Sequence, residues 1–502
     1  MRSTHTLSRL ATTVGLALMA TACTSSAYSD ERPAPTTVAP VDTAASPATE
    51  PTTEPATTEP ATTEPETTEP TGPPVPLATG NLSGSLPDGA TWVIDVPVDW
   101  NGTALLYSHG LVPPEEPNPA VDAPDPVTSS YLLDHGYALV GSSYASTGFA
   151  VEDALTDQLA VLDVFAEQVG TPTSTIAWGS SLGGMVTASL LEQHPDRFDG
   201  GASLCGVLGG SVELWNSYLD VLYTVATLIA PDAATQLVNV ADPSATIDLV
   251  RGSLFAAQQT PEGRARIALA ASVGDIVGWA GAGNPRPAAD DAAAQEQAQF
   301  DNLETVVLFG LALRADMEAR AGGNPSSNVG VDYAEVLAES AGADEVAALY
   351  QQAGLDLEAD LAALAAAPRI SADSGALAYV TEFATFTGAL QDPLVTLHNN
   401  GDQLVAVGNE RDYRDAVESA GASALLSQMF VERAGHCIFT PAETLTALDT
   451  LLSRIDHPET PIALDAASLN AHAAGLGPDL NVHFEDDPNV PLPTDPAFAD
   501  AS

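Results

Sequence analysis

The residues with the clearest chemical potential are Gly179-Ser180-Ser181-Leu182-Gly183, a Gly-x-Ser-x-Gly sequence. A serine hydroxyl is a weak nucleophile until a neighbouring base takes its proton and fixed donors receive the oxyanion it creates. Thr175-Ile176-Ala177-Trp178 ahead of it predicts an apolar strand, and Gly184 to His194 predicts a helix. Ser181 is therefore expected at a sharp strand-to-helix turn. A nucleophile there has a strained backbone, and the residues two positions away must be small; Gly179 and Gly183 meet that need. Ser180 would instead be flanked by Trp178 and Leu182, which excludes it. The N–H of Leu182, at the start of the helix, is the expected first oxyanion donor, because helix N-termini carry unpaired donors and favour an anion.

Of the nine histidines, His436 is the expected base. It lies in Arg433-Ala434-Gly435-His436-Cys437, after the last predicted strand, whereas His135 and His194 fall at element ends and His457, His472 and His483 in the C-terminal segment. Asp402, in Asn400-Gly401-Asp402-Gln403, directly follows the predicted strand Pro393–His398 and lies between Ser181 and His436 in the chain. An acid there would hold the imidazole tautomer and stabilise the imidazolium; the plainer reading is a Gly-Asp turn. Asp392 precedes that strand, at the wrong end of a sheet. The second oxyanion donor is expected from the loop after His109, from the N–H of Leu111 or alternatively Gly110, while His109 packs or hydrogen-bonds locally. This chemistry needs no metal and no organic cofactor.

The elements that must hold these residues alternate. Thr91–Pro97, Thr103–Ser108, Tyr137–Ser142, Thr175–Trp178 and Gly200–Cys205 predict strands, and Val151–Val169 carries helical spacing through Leu155, Leu159, Leu162 and Phe165. This rhythm predicts an α/β fold with a mainly parallel sheet and helices on both faces. Residues 207–385 show only helical patterns, including Glu213–Ile229, Arg264–Ala280, Ala288–Ala321 and Leu355–Ala367. Alternation resumes with Pro393–His398, the helix Glu410–Ala420, the strand Leu425–Glu432 and a last helix, Thr440–Ile455.

Together the His109-Gly110 loop, the turn at Ser181, Asp402 and His436 resemble the α/β-hydrolase superfamily in chain order, over residues 80–206 and 386–456. The resemblance implies an eight-stranded, mostly parallel sheet with the three side chains at its C-terminal edge. It also implies acyl-enzyme chemistry, usually on esters, with peptidases, lipases and polyester depolymerases as relatives. The helical segment falls between the sixth and seventh strands, where the superfamily inserts lids, so 207–385 is expected to cap Ser181. Cys437 after the histidine is similar to tannase and feruloyl-esterase-like enzymes, in which it bonds a cysteine immediately before the nucleophile; here that position is Ser180. Cys205 ends the strand after the nucleophile helix, near the same edge, so a Cys205–Cys437 disulfide is expected, with two buried thiols as the alternative.

The chain divides into a leader 1–22, a tether 23–76, core segments 77–206 and 386–456 around the cap 207–385, and a Pro- and Asp-rich tail 457–502, either poorly ordered or a strap. The leader has Arg2 and Arg9 before the apolar run Leu10–Met19 and ends in Ala20-Thr21-Ala22-Cys23. Small residues before a cysteine resemble a bacterial lipobox, so Cys23 is the expected lipidation site, with an ordinary secretory signal as the alternative. Thr-Thr-Glu-Pro repeats in residues 24–76 offer almost nothing to bury, and an extended chain of that length reaches on the order of 150 Å. Net charge is −52 from 67 acids and 15 bases, all of them Arg. Such a field repels phosphate backbones and argues against nucleic acid as a partner. The expectation is a monomeric serine hydrolase of carboxylic esters on the outer face of the membrane, lipid-anchored or secreted. The alternatives are an exopeptidase of the same fold and an inactive surface-binding protein.

Overall fold

The computed structural model describes residues 36–37, 75–231, 235–458, 460, 462–476 and 482–486. The leader, Cys23 and most of the tether lie outside the described residues.

Short apolar runs build the sheet. In chain order the strands are β1 (Thr36–Thr37), β2 (Gly80–Ser85), β3 (Thr91–Val96), β4 (Thr103–Ser108), β5 (Ala138–Ser142), β6 (Ser174–Ser180), β7 (Gly200–Leu204), β8 (Leu394–Gly401), β9 (Leu426–Ala434) and β10 (Phe484–Glu485). They stand in the order β1-β2-β3-β5-β4-β6-β7-β8-β9-β10. The ladder from β5 through β4, β6, β7 and β8 to β9 is parallel, and β2, β3 and β10 join antiparallel. The β5, β7 and β8 residues are buried throughout, as expected when helices cover both faces of a parallel sheet.

One face of the sheet packs on the helices Val151–Gln168 and Leu182–Gln193 and runs on into the helical insertion. The opposite face presents Leu105, Tyr107, Ile176, Trp178, Leu397 and Met429 to the helix Pro441–Asp456 and its neighbours. That last helix starts with a capping box, Thr440 and Glu443 satisfying each other's backbone N–H.

The α/β class holds, and the described residues contain ten strands where eight are expected. Strands β2–β9 form the eight-stranded array, and the two-residue β1 and β10 extend its edges. Between β7 and β8 the described chain is helical, with the segments Gly210–Thr224, Pro243–Ala257, Pro261–Val273, Ala292–Leu308, Arg314–Ala321, Tyr333–Glu339, Ala343–Ala353, Leu357–Ala366 and Ser374–Ala384. The helix expected to reach Ala280 stops at Val273, because Asp275 takes a left-handed φ of 54°. The helix expected over Ala288–Ala321 starts at Ala292, and a π-helical turn at Phe309–Leu313 interrupts it. Beyond residue 457 the described chain is a strap: the helix Ala466–Gly475 packs on Pro441–Asp456, and β10 pairs with β9.

Candidate active site

Ser181 is the residue between β6 and the helix Leu182–Gln193, with φ 58° and ψ −121°. This left-handed conformation is strained for a residue with a side chain. The flanking glycines allow it for a steric reason. A Cβ on Gly179 would stand 2.4 Å from the Gly183 carbonyl oxygen and 2.5 Å from that of Ser108. The Ser181 N–H donates to the Leu204 carbonyl, 2.9 Å, which fastens the turn to β7. Ser180 is spent elsewhere, its hydroxyl accepting from the Tyr107 phenol at 3.2 Å.

His436 and Asp402 reach Ser181 from two neighbouring strand ends. β8 runs three residues beyond its expected end and carries Asp402 to the sheet edge. A bulge lies between Asn399 and Gly401, opposite the end of β9. Bulges of this kind re-aim side chains at strand ends. A Cβ on Gly401 would lie 2.6 Å from the Ala434 Cα, so glycine is needed for the close approach. Gly435, φ 113°, then turns the chain into His436.

The result is a continuous line. His436 Nε2 lies 2.7 Å from Ser181 Oγ, and His436 Nδ1 lies 2.7 Å from Asp402 Oδ2. The other carboxylate oxygen, Asp402 Oδ1, accepts from the backbone N–H of Leu404 at 2.9 Å and of Val405 at 3.0 Å. Asp402 is therefore a turn residue as well as a partner of His436, so the two readings of the sequence coexist. Asp402 and His436 are buried, while Ser181 is half-buried.

The loop after β4 stands over Ser181. A Cβ on Gly110 would meet Ser181 Cβ at 3.3 Å, so a bulky residue there would crowd the hydroxyl. His109 stays local: Nδ1–H donates to the Gly110 carbonyl at 2.6 Å, and the ring stacks on Tyr144 at 4.0 Å. Burial holds its imidazole below the ordinary range. A trans peptide is planar, so a carbonyl held on one side sends the next N–H to the other. The His109 bond to Gly110 thereby fixes the plane that carries the Leu111 N–H.

Cys205 and Cys437 form a disulfide, with Cα atoms 5.4 Å apart. It ties the residue after His436 to the end of β7. Both half-cystines have left-handed φ, 46° and 55°. Three further residues in the sequence brace the same loop. Asn399 donates to the Ile438 carbonyl and accepts from its N–H, both at 3.0 Å. Arg433 donates to that carbonyl at 2.7 Å and forms a two-pronged pair with Glu443 at 2.7 and 3.0 Å. The signal available in the sequence was a base, Arg433, directly after the buried run Met429-Phe430-Val431 and Glu432.

The helical insertion rests on the loops that carry these groups. Tyr218 donates to the Leu404 carbonyl at 2.9 Å, beside Asp402. Burial and the neighbouring Asp402 and Glu213 carboxylates push its phenol up. On the other side Asp316 accepts from the Phe149 N–H at 2.8 Å, and Arg320 pairs with Asp153 and Asp316.

The sequence profile of the prolyl oligopeptidase family (peptidase S9) matches residues 147–234, a stretch that includes the Ser181 turn. Over 429 residues the chain is 30% identical to the o-phthalyl amidase of Xanthobacter agilis, covering 80% of this chain and 92% of that protein. Among solved structures, an esterase from Aspergillus oryzae is 11% identical, with 76% of this chain and 80% of that one covered and a TM-score of 0.35. Pyrococcus horikoshii acylaminoacyl peptidase is 9% identical, with 78% of this chain and 44% of that one covered and a TM-score of 0.38. The chain is a hydrolase that belongs to the α/β-hydrolase superfamily, in the same family as the o-phthalyl amidase of Xanthobacter agilis.

Proposed function

We propose that the protein is a serine acyl hydrolase that cleaves carboxylic esters and activated amides through an acyl-enzyme on Ser181. The observation that carries this reading is the unbroken hydrogen-bond line Ser181–His436–Asp402, with both links at 2.7 Å. His436 takes the Ser181 proton as Oγ attacks the acyl carbon, and Asp402 stabilises the imidazolium. The tetrahedral oxyanion sits on the N–H groups of Leu182 and Leu111. His436 then passes the proton to the leaving alcohol or amine, the acyl group remains on Oγ, and water repeats the cycle to release the acid and free Ser181. The amide half of the proposal is supported by the relative named as an amidase. The insertion 207–385 acts as the cap that shapes the acyl pocket. The same proposal places the enzyme on the outer face of the membrane, tethered through lipid on Cys23.

The test is a panel of aryl esters and aryl amides, phthalyl amides included, assayed with the wild type and Ser181→Ala. Turnover that disappears in the variant supports the reading. Comparable turnover by Ser181→Ala would remove it.

A further inference from the structure

Behind Asp402 lies a second buried acid–base pair that the mechanism above does not use. His398, on β8, is fully buried. Its Nδ1 lies 3.0 Å from Glu410 Oε1, on the helix Asn409–Ser419. Its Nε2 lies 2.9 Å from the Val405 carbonyl oxygen and 3.6 Å from Asp402 Oδ2, the oxygen that faces His436. Every partner of the ring is an oxygen acceptor. A neutral imidazole has one N–H and one lone pair, so one nitrogen would face an oxygen lone pair to lone pair. Facing a carboxylate on one side and a carbonyl on the other, a ring carrying both protons satisfies the whole set.

Glu410 is fixed through its second carboxylate oxygen. Its Oε2 accepts from Thr396 Oγ1 at 2.5 Å and from Gln428 Nε2 at 2.7 Å, so its proton-accepting face is left to His398. Burial pulls the His398 imidazole down, but the Glu410 bond and charge and the Asp402 charge outweigh it and the net displacement is upward. The charged groups facing the ring are thus Glu410 from the helix and Asp402 from the strand end; Thr396 and Gln428, the other side chains at the pair, carry no charge.

We propose that His398 is a positioning residue, a permanent imidazolium that Glu410 holds behind Asp402 to fix the carboxylate and set the pH range of the Ser181 reaction. The inference rests on the proposed role of Asp402. A fixed positive charge sharing Asp402 Oδ2 with His436 opposes protonation of His436. It therefore extends activity to lower pH than an isolated Ser–His–Asp set would reach.

Protein labelled with 15N at histidine tests this without reference to turnover. The His398 signal, identified by its loss in His398→Gln, should show a proton on both ring nitrogens from pH 6 to 8, and Glu410→Gln should convert it to a ring with one. In kcat/KM against pH, His398→Gln should move the acid limb upward by on the order of one pH unit, and Glu410→Gln by less in the same direction. A His398 ring with a single proton in the wild type overturns the inference, as does an acid limb that stays in place while kcat falls evenly. Loss of the proposed function itself would appear separately, as Ser181→Ala retaining activity while the His398 signal is as described.

Discussion

Gly183 and Ser108 are in contact so close that a Cβ on Gly183 would fall 1.9 Å from the Ser108 carbonyl oxygen. The contact joins the helix behind Ser181 to the end of β4, and both partners are backbone. No rotamer change can relieve a clash there. Gly183→Ala is therefore expected to lower the melting temperature markedly, by an overpacking cost of about 1–3 kcal/mol or more, and to displace Ser181 from His436. Thermal unfolding monitored by circular dichroism, together with ester turnover, checks it. A variant as stable and as active as wild type would show that the turn is looser than described.

Replacing Asp402 by asparagine separates its two roles. The amide oxygen can still accept from Leu404 and Val405, so folding should be preserved. The amide nitrogen then faces His436 Nδ1, which forces the wrong tautomer and leaves no base for Ser181. The expected loss in kcat is about 10⁴-fold at unchanged melting temperature. A loss below tenfold would mean that Asp402 is only a turn residue.

The Cys205–Cys437 bridge closes a loop of 232 residues and holds the residue after His436. The double variant Cys205→Ala/Cys437→Ala is expected to lose about 2–5 kcal/mol of stability. Its kcat should fall more than its KM rises, because the loop that slackens carries His436, the proposed base. Denaturant titration and steady-state kinetics measure the two effects, and an unchanged kcat would dissociate the bridge from the chemistry.

Glu345 in the helical insertion makes a pH prediction. Burial, and then the nearby Glu296 charge, push its carboxyl from 4.5 up to about 8. Between those values the folded state holds a proton that the unfolded state has lost, so stability must fall as pH rises. The contribution is fully present below pH 4.5, declines through the window and is lost above about pH 8. Glu345→Gln keeps the neutral form at every pH. Its advantage over wild type in melting temperature should grow from pH 5 to 8 and then level off. A constant difference across that window would contradict the assignment.

How far the sequence disclosed this arrangement depended on how local each feature is. The Ser181 turn follows from five consecutive residues, because the steric demand falls on Gly179 and Gly183. His436 and Asp402 were legible from their places just beyond apolar strands. β2 is not legible in the sequence because Gly80-Asn81-Leu82-Ser83-Gly84-Ser85 is a polar, half-exposed strand near the sheet edge, without alternation. The brief helices Tyr333–Glu339 and Ala343–Ala353 gain their stability from packing within the insertion, a contribution local pattern does not carry. The pairs Arg433–Glu443 and His398–Glu410 join residues 10 and 12 apart across different elements, and only the folded chain brings them together. The nearest hint was Thr396 and His398, polar residues two apart that alternate with the apolar Val395 and Leu397.

In the proposed reaction Ser181, and not its neighbour Ser180, carries the acyl group. Treating the full protein with a fluorophosphonate, then locating the added mass by peptide sequencing, tests it most directly. A single phosphonyl group on Ser181, absent from Ser181→Ala and strongly slowed in His436→Ala, is the predicted result. Label on Ser180, or undiminished labelling of Ser181→Ala, would contradict it.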